Sequence, residues 1–524
     1  MLAGFAIEKG LFGHSAKVYH AMNIFWYGMA MVVLVLLLRK MFAERKSWIA
    51  LVIVLLYAAH PLHVEVVANI KSRDEIFTLL GLIGTLYGLL CYEENGKKKW
   101  MALSLGAFFF ALLSKESSLA FFALVPLTLH FFSINTFKDI VIKSLPYTAM
   151  AGIYLLIRSA VVSSENAIFG TLDNSLFAAG GLSERTATVV AMVGKYIMLL
   201  FFPNPLVYDY SYSQMPLVDW GGWQALLSLV FILVALAYAV YGWRKKDKVA
   251  YAIWFFTITS VITSNLFFLI GSTFAERFMF IPSLALCMFI VLIFSRFLER
   301  PSQEKIIWGI LGTLLLFYIG KTVMHNPVWA SNETLFSHGV QVSPKSARAN
   351  AYYGMTIYNQ ALETKDPSIR STRLQEALSY FEKSIQILPS FTQAYQNMGL
   401  VLEELKQFDR ALATYQKGIS TNPEYYPLIY NIGVMFFNHD MYNEALPHLQ
   451  NAIKIGPDAH IIHNVLGKTQ HRLQNYDAAI ASYKRAHELL PTNIPYLGNL
   501  VAIHCELNQI ETAIFYDTKI KALQ

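Results

Sequence analysis

Three cysteines in 524 residues leave little from which to build a disulfide framework or a zinc site. Cys91 and Cys287 fall in apolar runs and Cys505 in a polar region. Charge is scarce too. Asp, Glu, Lys and Arg make up 15% of the chain, against about 25% in a soluble domain, and the shortfall lies before residue 322. There is no Gly-rich phosphate loop and no G-x-S-x-G elbow, so nothing points to a P-loop or an α/β-hydrolase site. The opening MLAGFAIEKGLFGHSAKVYH is too polar for a cleavable signal peptide. The formal charge of +7 is clustered in short loops, the pattern of cytosolic loops in a membrane protein and not of a nucleic-acid partner.

What is present divides in two. The mean hydropathy is +0.41, and up to about residue 322 the chain is a series of long apolar runs. Val18–Leu38 is a first span, ending in Arg39, Lys40, Arg45 and Lys46, which places its C-terminal end in the cytosol. Trp48–Ala59 returns, but a dozen residues make only about 18 Å of helix against a core about 30 Å thick. His60-Pro61 is therefore expected to lie recessed below the outer surface. The loop at Glu93–Lys99, Lys138 with Lys143, Arg244–Lys248 and Arg296–Lys305 are read as cytosolic. Residues 159–185 form an outer loop, and Ala275-Glu276-Arg277 an outer turn. Thr186–Phe202 is read as a re-entrant or interfacial helix, because a crossing there would put the basic Arg244–Lys248 loop outside. About ten crossings result, with everything after 322 on the outer side.

The densest polar cluster before residue 130 is His60–Glu75, HPLHVEVVANIKSRDE. Glu65, Asn69, Ser72 and Arg73 fall at i, i+4, i+7 and i+8, one face of a helix. The stretch reads as an amphipathic helix at the membrane surface with a carboxylate and a guanidinium pointed the same way, or as a connector whose charges are solvated.

The second half repeats. Pro389, Pro423, Pro457 and Pro491 are 34 residues apart, as are Ala377, Ala411, Ala445, Ala479 and Ala513, and Gly399, Gly433 and Gly467. This resembles the tetratricopeptide repeat, a helix–turn–helix unit of 34 residues. Small residues let paired helices approach, Tyr415, Leu449 and Tyr483 fill the larger position, and Pro stops the second helix. The expected units are 346–389, lengthened by an insert at Glu363–Arg373, then 390–423, 424–457, 458–491 and 492–524. The domains are 1–322 in the membrane, a linker 323–345, and repeats 346–524.

The ordered motifs His60-Pro61-Leu62-His63-Val64-Glu65, Arg73-Asp74-Glu75, Lys115-Glu116, Asp209-Tyr210, Ala275-Glu276-Arg277-Phe278 with Pro282, Asn326 with Trp329, and Ser346-Ala347-Arg348-Ala349 resemble the transmembrane and tetratricopeptide-repeat-containing protein O-mannosyltransferases and their bacterial relatives. The resemblance implies an all-α chain: a GT-C-type membrane domain of about ten spanning helices plus interfacial helices, then an α-solenoid. It implies transfer of a sugar, mannose in this family, from a polyprenyl-phosphate carrier to a protein hydroxyl on the outer face. The family's first helix and acidic first loop have no counterpart. The matching segment, Phe5–Tyr19, offers only Glu8, so the expectation includes a truncated and inactive chain. His325 stands where the family more often has Arg before the Asn.

Such transfer needs a carboxylate to take the hydroxyl proton and cations for the departing phosphate. Candidate carboxylates are Glu65, Asp74, Glu75 and Glu116. Candidate phosphate ligands are Arg73, Lys115 and Arg277, all at outer ends of spans; the alternative is that each merely pairs with its sequence neighbour Asp74, Glu116 or Glu276. His60, His63, Asp209 and Glu276 are supporting candidates. His60 and His63 lack further ligands for a metal, and no cofactor is expected beyond the lipid-linked sugar as donor substrate. Tyr208–Tyr212 reads as an interfacial belt or the lining of an acceptor path. The expected partners are the bilayer and, at the repeats, an acceptor protein or peptide. Compact loops and the single sequon Asn332-Glu333-Thr334 leave a bacterial inner membrane with periplasmic repeats, or an endoplasmic reticulum membrane with luminal ones. The rival reading is a non-catalytic membrane-anchored repeat scaffold.

Overall fold

The computed structural model describes residues 2–43, 48–161, 169–298 and 303–523; Arg45, Lys46, and parts of the loops 159–185 and 296–305 lie outside them. Among the described residues every regular element is a helix, and the chain forms two compact units, Met1–Ser346 and Ala347–Gln524.

In the first unit a short α1 (Leu2–Phe12) precedes α2 (Ala16–Met41), which Ser15 caps. α3 (Trp48–Ala58) ends before Pro61, where the chain enters a 3-10 turn, Pro61–His63, and α4 (Val64–Ala68), bent by 55° from α3. A second 3-10 turn, Ile70–Ser72, leads into α5 (Arg73–Asn95), closed by Gly96 at φ +65°. There follow α6 (Lys98–Ser114), α7 (Phe121–Phe132), α8 (Phe137–Val161), α9 (Leu182–Phe201), α10 (Trp223–Trp243), α11 (Lys248–Ser260), α12 (Ser283–Phe297), α13 (Glu304–His325) and α14 (Asn332–Val342). Residues 16–41, 70–95, 137–161, 223–243 and 304–329 are long and apolar enough to cross a membrane. α3, α6, α7, α11 and α12 are shorter. α5 and α6 approach on small residues: a Cβ on Gly81 would stand 2.6 Å from the Ala111 Cβ, and one on Gly88 2.9 Å from the Ser104 nitrogen.

The bundle has two polar ends, and they sort as the loop charges demand. At one end Lys40 pairs with Glu94 (2.5 Å), Lys143 with Glu93 (2.7 Å) and Arg296 with Asp247 (2.8 Å), while Lys246 donates to the Ser133 carbonyl (2.8 Å). These are the ends read as cytosolic. The other end collects Glu65, Arg73, Lys115 and Arg277. α9 keeps both its ends there: Arg185 donates to the Asn265 carbonyl (3.3 Å), and the Leu200 carbonyl accepts from His60 and Tyr318, each at 2.9 Å. α9 therefore keeps both ends at the outer end, and among the described residues five of the other helices, or six counting the bent pair of α3 and α4, are long and apolar enough to cross a membrane, against about ten expected from the sequence. Residues 323–345, read from the sequence as a linker, hold the end of α13, a 3-10 turn at Asn326–Trp329, and α14.

The second unit is five helix pairs: α15 (Ala347–Glu363) with α16 (Pro367–Ile387), α17 (Thr392–Glu404) with α18 (Phe408–Thr421), α19 (Tyr426–Asn438) with α20 (Tyr442–Ile455), α21 (His460–Arg472) with α22 (Tyr476–Leu489), and α23 (Ile494–Glu506) with α24 (Ile510–Leu523). The insert lengthens α15 and α16, with Asp366 capping the latter. The glycines stand where expected. A Cβ on Gly399 would meet the Tyr415 ring at 2.0 Å, on Gly433 the Leu449 side chain at 2.7 Å, and on Gly467 the Tyr483 ring at 2.7 Å. The repeating alanines 377, 411, 445 and 479 are fully buried.

Candidate functional site

The site is assembled where α3 stops short. The Pro61 turn and α4 fill the missing depth, so Glu65 is carried inside the outer end and is 3% exposed. Facing it is the 3-10 turn Glu276–Met279 before α12. The Arg277 side chain meets Glu65 at 2.7 Å, and the Arg277 amide donates to the second carboxylate oxygen at 2.9 Å. One carboxylate thus fixes both the side chain and the backbone of the arginine, which stays 33% exposed.

Glu276, the neighbour, turns the other way. Its carboxylate accepts from the Val207 amide and from the Tyr210 hydroxyl at 2.9 Å. Burial, and then the nearby Glu65 carboxylate, push it well above the usual carboxylate range. At the start of α5, Lys115 binds Glu75 closely and Asp74 at 3.6 Å. The charges of Glu75 and Arg277 are close enough to act on each other. Glu65, Arg277, Glu75, Lys115 and Asp74 therefore form one row of alternating charge at the outer end.

Three candidates stand apart from it. The His60–Glu75 stretch is not one helix: Asn69 is extended (φ −82°, ψ 113°) and caps the turn after it through its side chain. That break turns Arg73 away from Glu65. Arg73 is fully buried against Glu8 (2.6 Å), Asn23 (2.6 Å), the Tyr19 carbonyl (2.9 Å) and the Phe5 ring. It pins α1 and α2 to α5. Glu116 is exposed and pairs with Arg158 at 2.8 Å. Asp209 accepts from Ser211 and Ser346 hydroxyls, and its carbonyl from Ser343, which ties the 207–212 loop to the last residues of the unit. Pairing between sequence neighbours (Arg73 with Asp74, Lys115 with Glu116, Arg277 with Glu276) does not occur; in helical turns adjacent side chains diverge.

His60 and His63 have both ring nitrogens engaged. His60 bonds the Leu200 carbonyl and the Leu62 amide; His63 bonds Tyr27 and Ser283, each at 2.9 Å. They hold α4 against α9, α12 and α2. Among the described residues no group of three or more His, Cys, Asp or Glu is placed to hold a metal. The Tyr208–Tyr212 stretch, read as a belt, packs inward. Tyr210 is buried on Glu276, and Tyr208 lies against Phe336 and Gly339 of α14.

Sequence reasoning missed the residues that brace the Glu276 turn. Asn174 and Asn265, both buried, bond each other at 2.8 Å and hold the carbonyls of Ile270, Ser272 and Thr273. Tyr196 stacks on Phe274 (3.8 Å) and its hydroxyl accepts from the Ala275 amide (3.0 Å). Lys195 lies over the Tyr210 and Phe274 rings. No short motif marks any of them. Beside this turn a small cleft with a free volume of only ≈20 Å³ is lined by Val189, Met192, Val193 and Tyr196 of α9, Phe256 and Ser260 of α11, and Thr273 and Met279 on either side of Glu276-Arg277.

Comparison with known proteins bears on the same regions. Residues 5–163 match the family described as dolichyl-phosphate-mannose-protein mannosyltransferase, and residues 392–425 and 431–494 match tetratricopeptide repeats. Mouse protein O-mannosyl-transferase TMTC3 is 22% identical over 430 residues, 74% of this chain and 44% of its own. Human protein O-mannosyl-transferase TMTC1 is 25% identical over 454 residues, 76% of this chain and 49% of its own. The Drosophila melanogaster Tmtc3 protein is 25% identical over 412 residues, 68% and 43%. The chain spans about half the length of the curated relatives it matches.

Proposed function

We propose, for a chain that belongs to the protein O-mannosyl-transferase family with tetratricopeptide repeats, that it is an integral-membrane glycosyltransferase. Its donor is a polyprenyl-phosphate sugar, mannose by family analogy, and its acceptor a Ser or Thr hydroxyl of a protein held by the repeats. The observation that carries this reading is the part-buried charge row at the outer end, with an apolar face of α9 and α11 beside it. The chain leaves the membrane unit at that end, since Ser346 is bound to Asp209 beside Tyr210.

In the proposed reaction the acceptor oxygen bonds to the sugar C1 and the C1–O bond to phosphate breaks. The bonding pair stays on the phosphate, which passes from monoanionic diester to dianionic monoester. A carboxylate takes the hydroxyl proton. Glu65 is committed at both oxygens to Arg277, so it acts as the positioning residue for that cation. Glu75 does the same for Lys115. Asp74, tied most loosely at 3.6 Å and a quarter exposed, is the carboxylate that can reach a hydroxyl. Arg277 and Lys115 meet the phosphate, Glu276 braces the turn, and Glu116 and Arg158 lie at the rim. The membrane is assigned as a bacterial inner membrane with the repeats in the periplasm; an endoplasmic reticulum membrane places them in the lumen.

One observation favours the scaffold reading: Arg73, Lys115 and Arg277 each already hold a carboxylate. The same experiment separates the two. Membranes containing the full chain are given polyprenyl-phosphate mannose, and release of polyprenyl phosphate is followed. Asp74→Asn should lower the rate at least about a hundredfold with KM nearly unchanged, the scale of general-base catalysis. A wild-type rate equal to empty membranes means a scaffold, and full activity in Asp74→Asn removes Asp74 as the base.

A further inference from the structure

The three cations that the motifs single out are each neutralised by a carboxylate, so a lipid phosphate could reach them only by displacing or sharing that partner. Lys195 is different. It sits half-buried on α9, one residue before Tyr196, and among the described residues no carboxylate is within ion-pair distance of it. Its ammonium touches the Met215 sulfur at 3.1 Å and lies 5.1 Å and 5.4 Å from the centres of the Tyr210 and Phe274 rings. An ammonium has three donors; a thioether is a weak acceptor and ring faces attract without filling a hydrogen bond. The acid whose charge reaches Lys195 is Glu276, which lies on the far side of Tyr210 in the sense that the tyrosine hydroxyl binds it. Burial raises the Glu276 carboxyl well above the usual carboxylate range, and its hydrogen bonds come from Val207 and Tyr210, not from Lys195.

Position adds to this. Lys195 borders the turn that carries Arg277: Phe274 is two residues before Glu276, and Tyr210 is bound to Glu276 itself. The neighbouring face of α9, Val189 to Tyr196, lines the apolar cleft. A lipid lying along that apolar face of α9 with its headgroup at the 274–277 turn would bring a phosphate past the Lys195 side chain.

We propose that Lys195 is a phosphate ligand for the lipid carrier, acting with Arg277. It binds the phosphate without an ion pair having to break, and it meets the extra negative charge that the phosphate gains as the glycosyl bond opens. This rests on the lipid-phosphate reading above.

The test uses the full chain in detergent micelles, with farnesyl phosphate as probe and farnesol as its uncharged control, followed by tryptophan quenching. Wild type is expected to prefer the phosphate at least about tenfold, the worth of one charge-assisted hydrogen bond. Lys195→Met should bring the two probes within about threefold while farnesol binding stays unchanged, which also reports an intact apolar face. Lys195→Gln should do the same, and serves if the apolar variant is poorly folded; Lys195→Arg should keep most of the preference. The double variant Lys195→Met with Glu276→Gln should behave like Lys195→Met alone. A wild-type preference retained in Lys195→Met and Lys195→Gln overturns the role of Lys195 and leaves the lipid-phosphate reading standing. Restoration of the preference in the double variant overturns it too, because Lys195 would then serve only to balance Glu276. No preference in wild type defeats the reading on which the proposal depends.

Discussion

Glu65→Ala and Arg277→Met should not weaken the protein equally, although they break the same ion pair. Taking one partner from a buried pair costs about 3–5 kcal/mol, because it strands the other charge. What is stranded differs. Glu65 is 3% exposed, and without Arg277 its carboxylate has no water to turn to. Arg277 is 33% exposed and can hydrate once Glu65 is gone. The expected loss is therefore about 4 kcal/mol for Arg277→Met and about 2 kcal/mol for Glu65→Ala, and the double variant should lose less than Arg277→Met alone. The pair holds the 3-10 turn to α4, so the readout is hydrogen exchange in peptides covering 274–284 of the full chain in micelles. At about tenfold per 1.4 kcal/mol, exchange should rise by about three orders of magnitude in Arg277→Met and between one and two in Glu65→Ala. Equal acceleration in the two single variants, with a double variant at their sum, would refute the claim that depth sets the cost.

Three further outcomes follow from the packing and from one titrating group. Gly399→Ala would drive a methyl into the Tyr415 ring, while Gly498 has nothing within 4 Å; the first should destabilise the repeats by about 1–3 kcal/mol and Gly498→Ala should stabilise them by up to about 1 kcal/mol, both read as thermal midpoints. Gly81→Leu should separate α5 from α6 and lower the midpoint of the membrane unit, whereas Gly106→Leu, facing open space, should not. Glu403, in α17, is held above the usual carboxylate range by burial, which outweighs the Tyr415 hydroxyl that donates to it. A raised carboxylate gives stability that is complete below its unfolded pKa and is lost as pH rises through the folded one. The repeats should therefore lose stability upward from about pH 4.5, and Glu403→Gln should flatten that loss; an identical pH profile in the two proteins would rule it out.

The repeats were legible because their signal is periodic. A 34-residue interval in Gly, Ala and Pro survives whatever the surface residues do, and Gly399 against Tyr415 shows why the interval is kept. Loop charge led to an expectation of about ten crossings with Thr186–Phe202 left out of their number; by length and apolarity five or six helices qualify as spans. The site was only half legible. Glu65, Glu75, Lys115 and Arg277 do come together, but the sequence could not say which carboxylate holds which cation. Reading His60–Glu75 as a single helix put Arg73 beside Glu65; one extended residue, Asn69, moves it into a separate pocket with Glu8. A heptad-like spacing is evidence of a shared face only while the helix is unbroken. Lys195, Asn174 and Asn265 carried no signal, since a lone lysine or asparagine between apolar runs looks the same whether it faces lipid, solvent or a neighbouring turn.

The pairing found in the site has a consequence for the proposed chemistry. Glu65, Asp74 and Glu75 are paired with Arg277 and Lys115, and Lys195, which makes no ion pair with a described residue, brings a third positive charge to set against those three carboxylates. A donor diester adds one negative charge. During transfer the carboxylate that takes the proton becomes neutral as the phosphate becomes dianionic, so the total within the site does not change. Charge only moves, from the α5 side toward the 274–277 turn. Rate should then depend on where cations stand and not on how many there are. Moving the lysine, by Lys195→Ala with a new lysine at Met192 one turn back along α9 (M192K), keeps the net charge and should still lose most of the rate. A displaced lysine that restored turnover would show that net charge alone suffices.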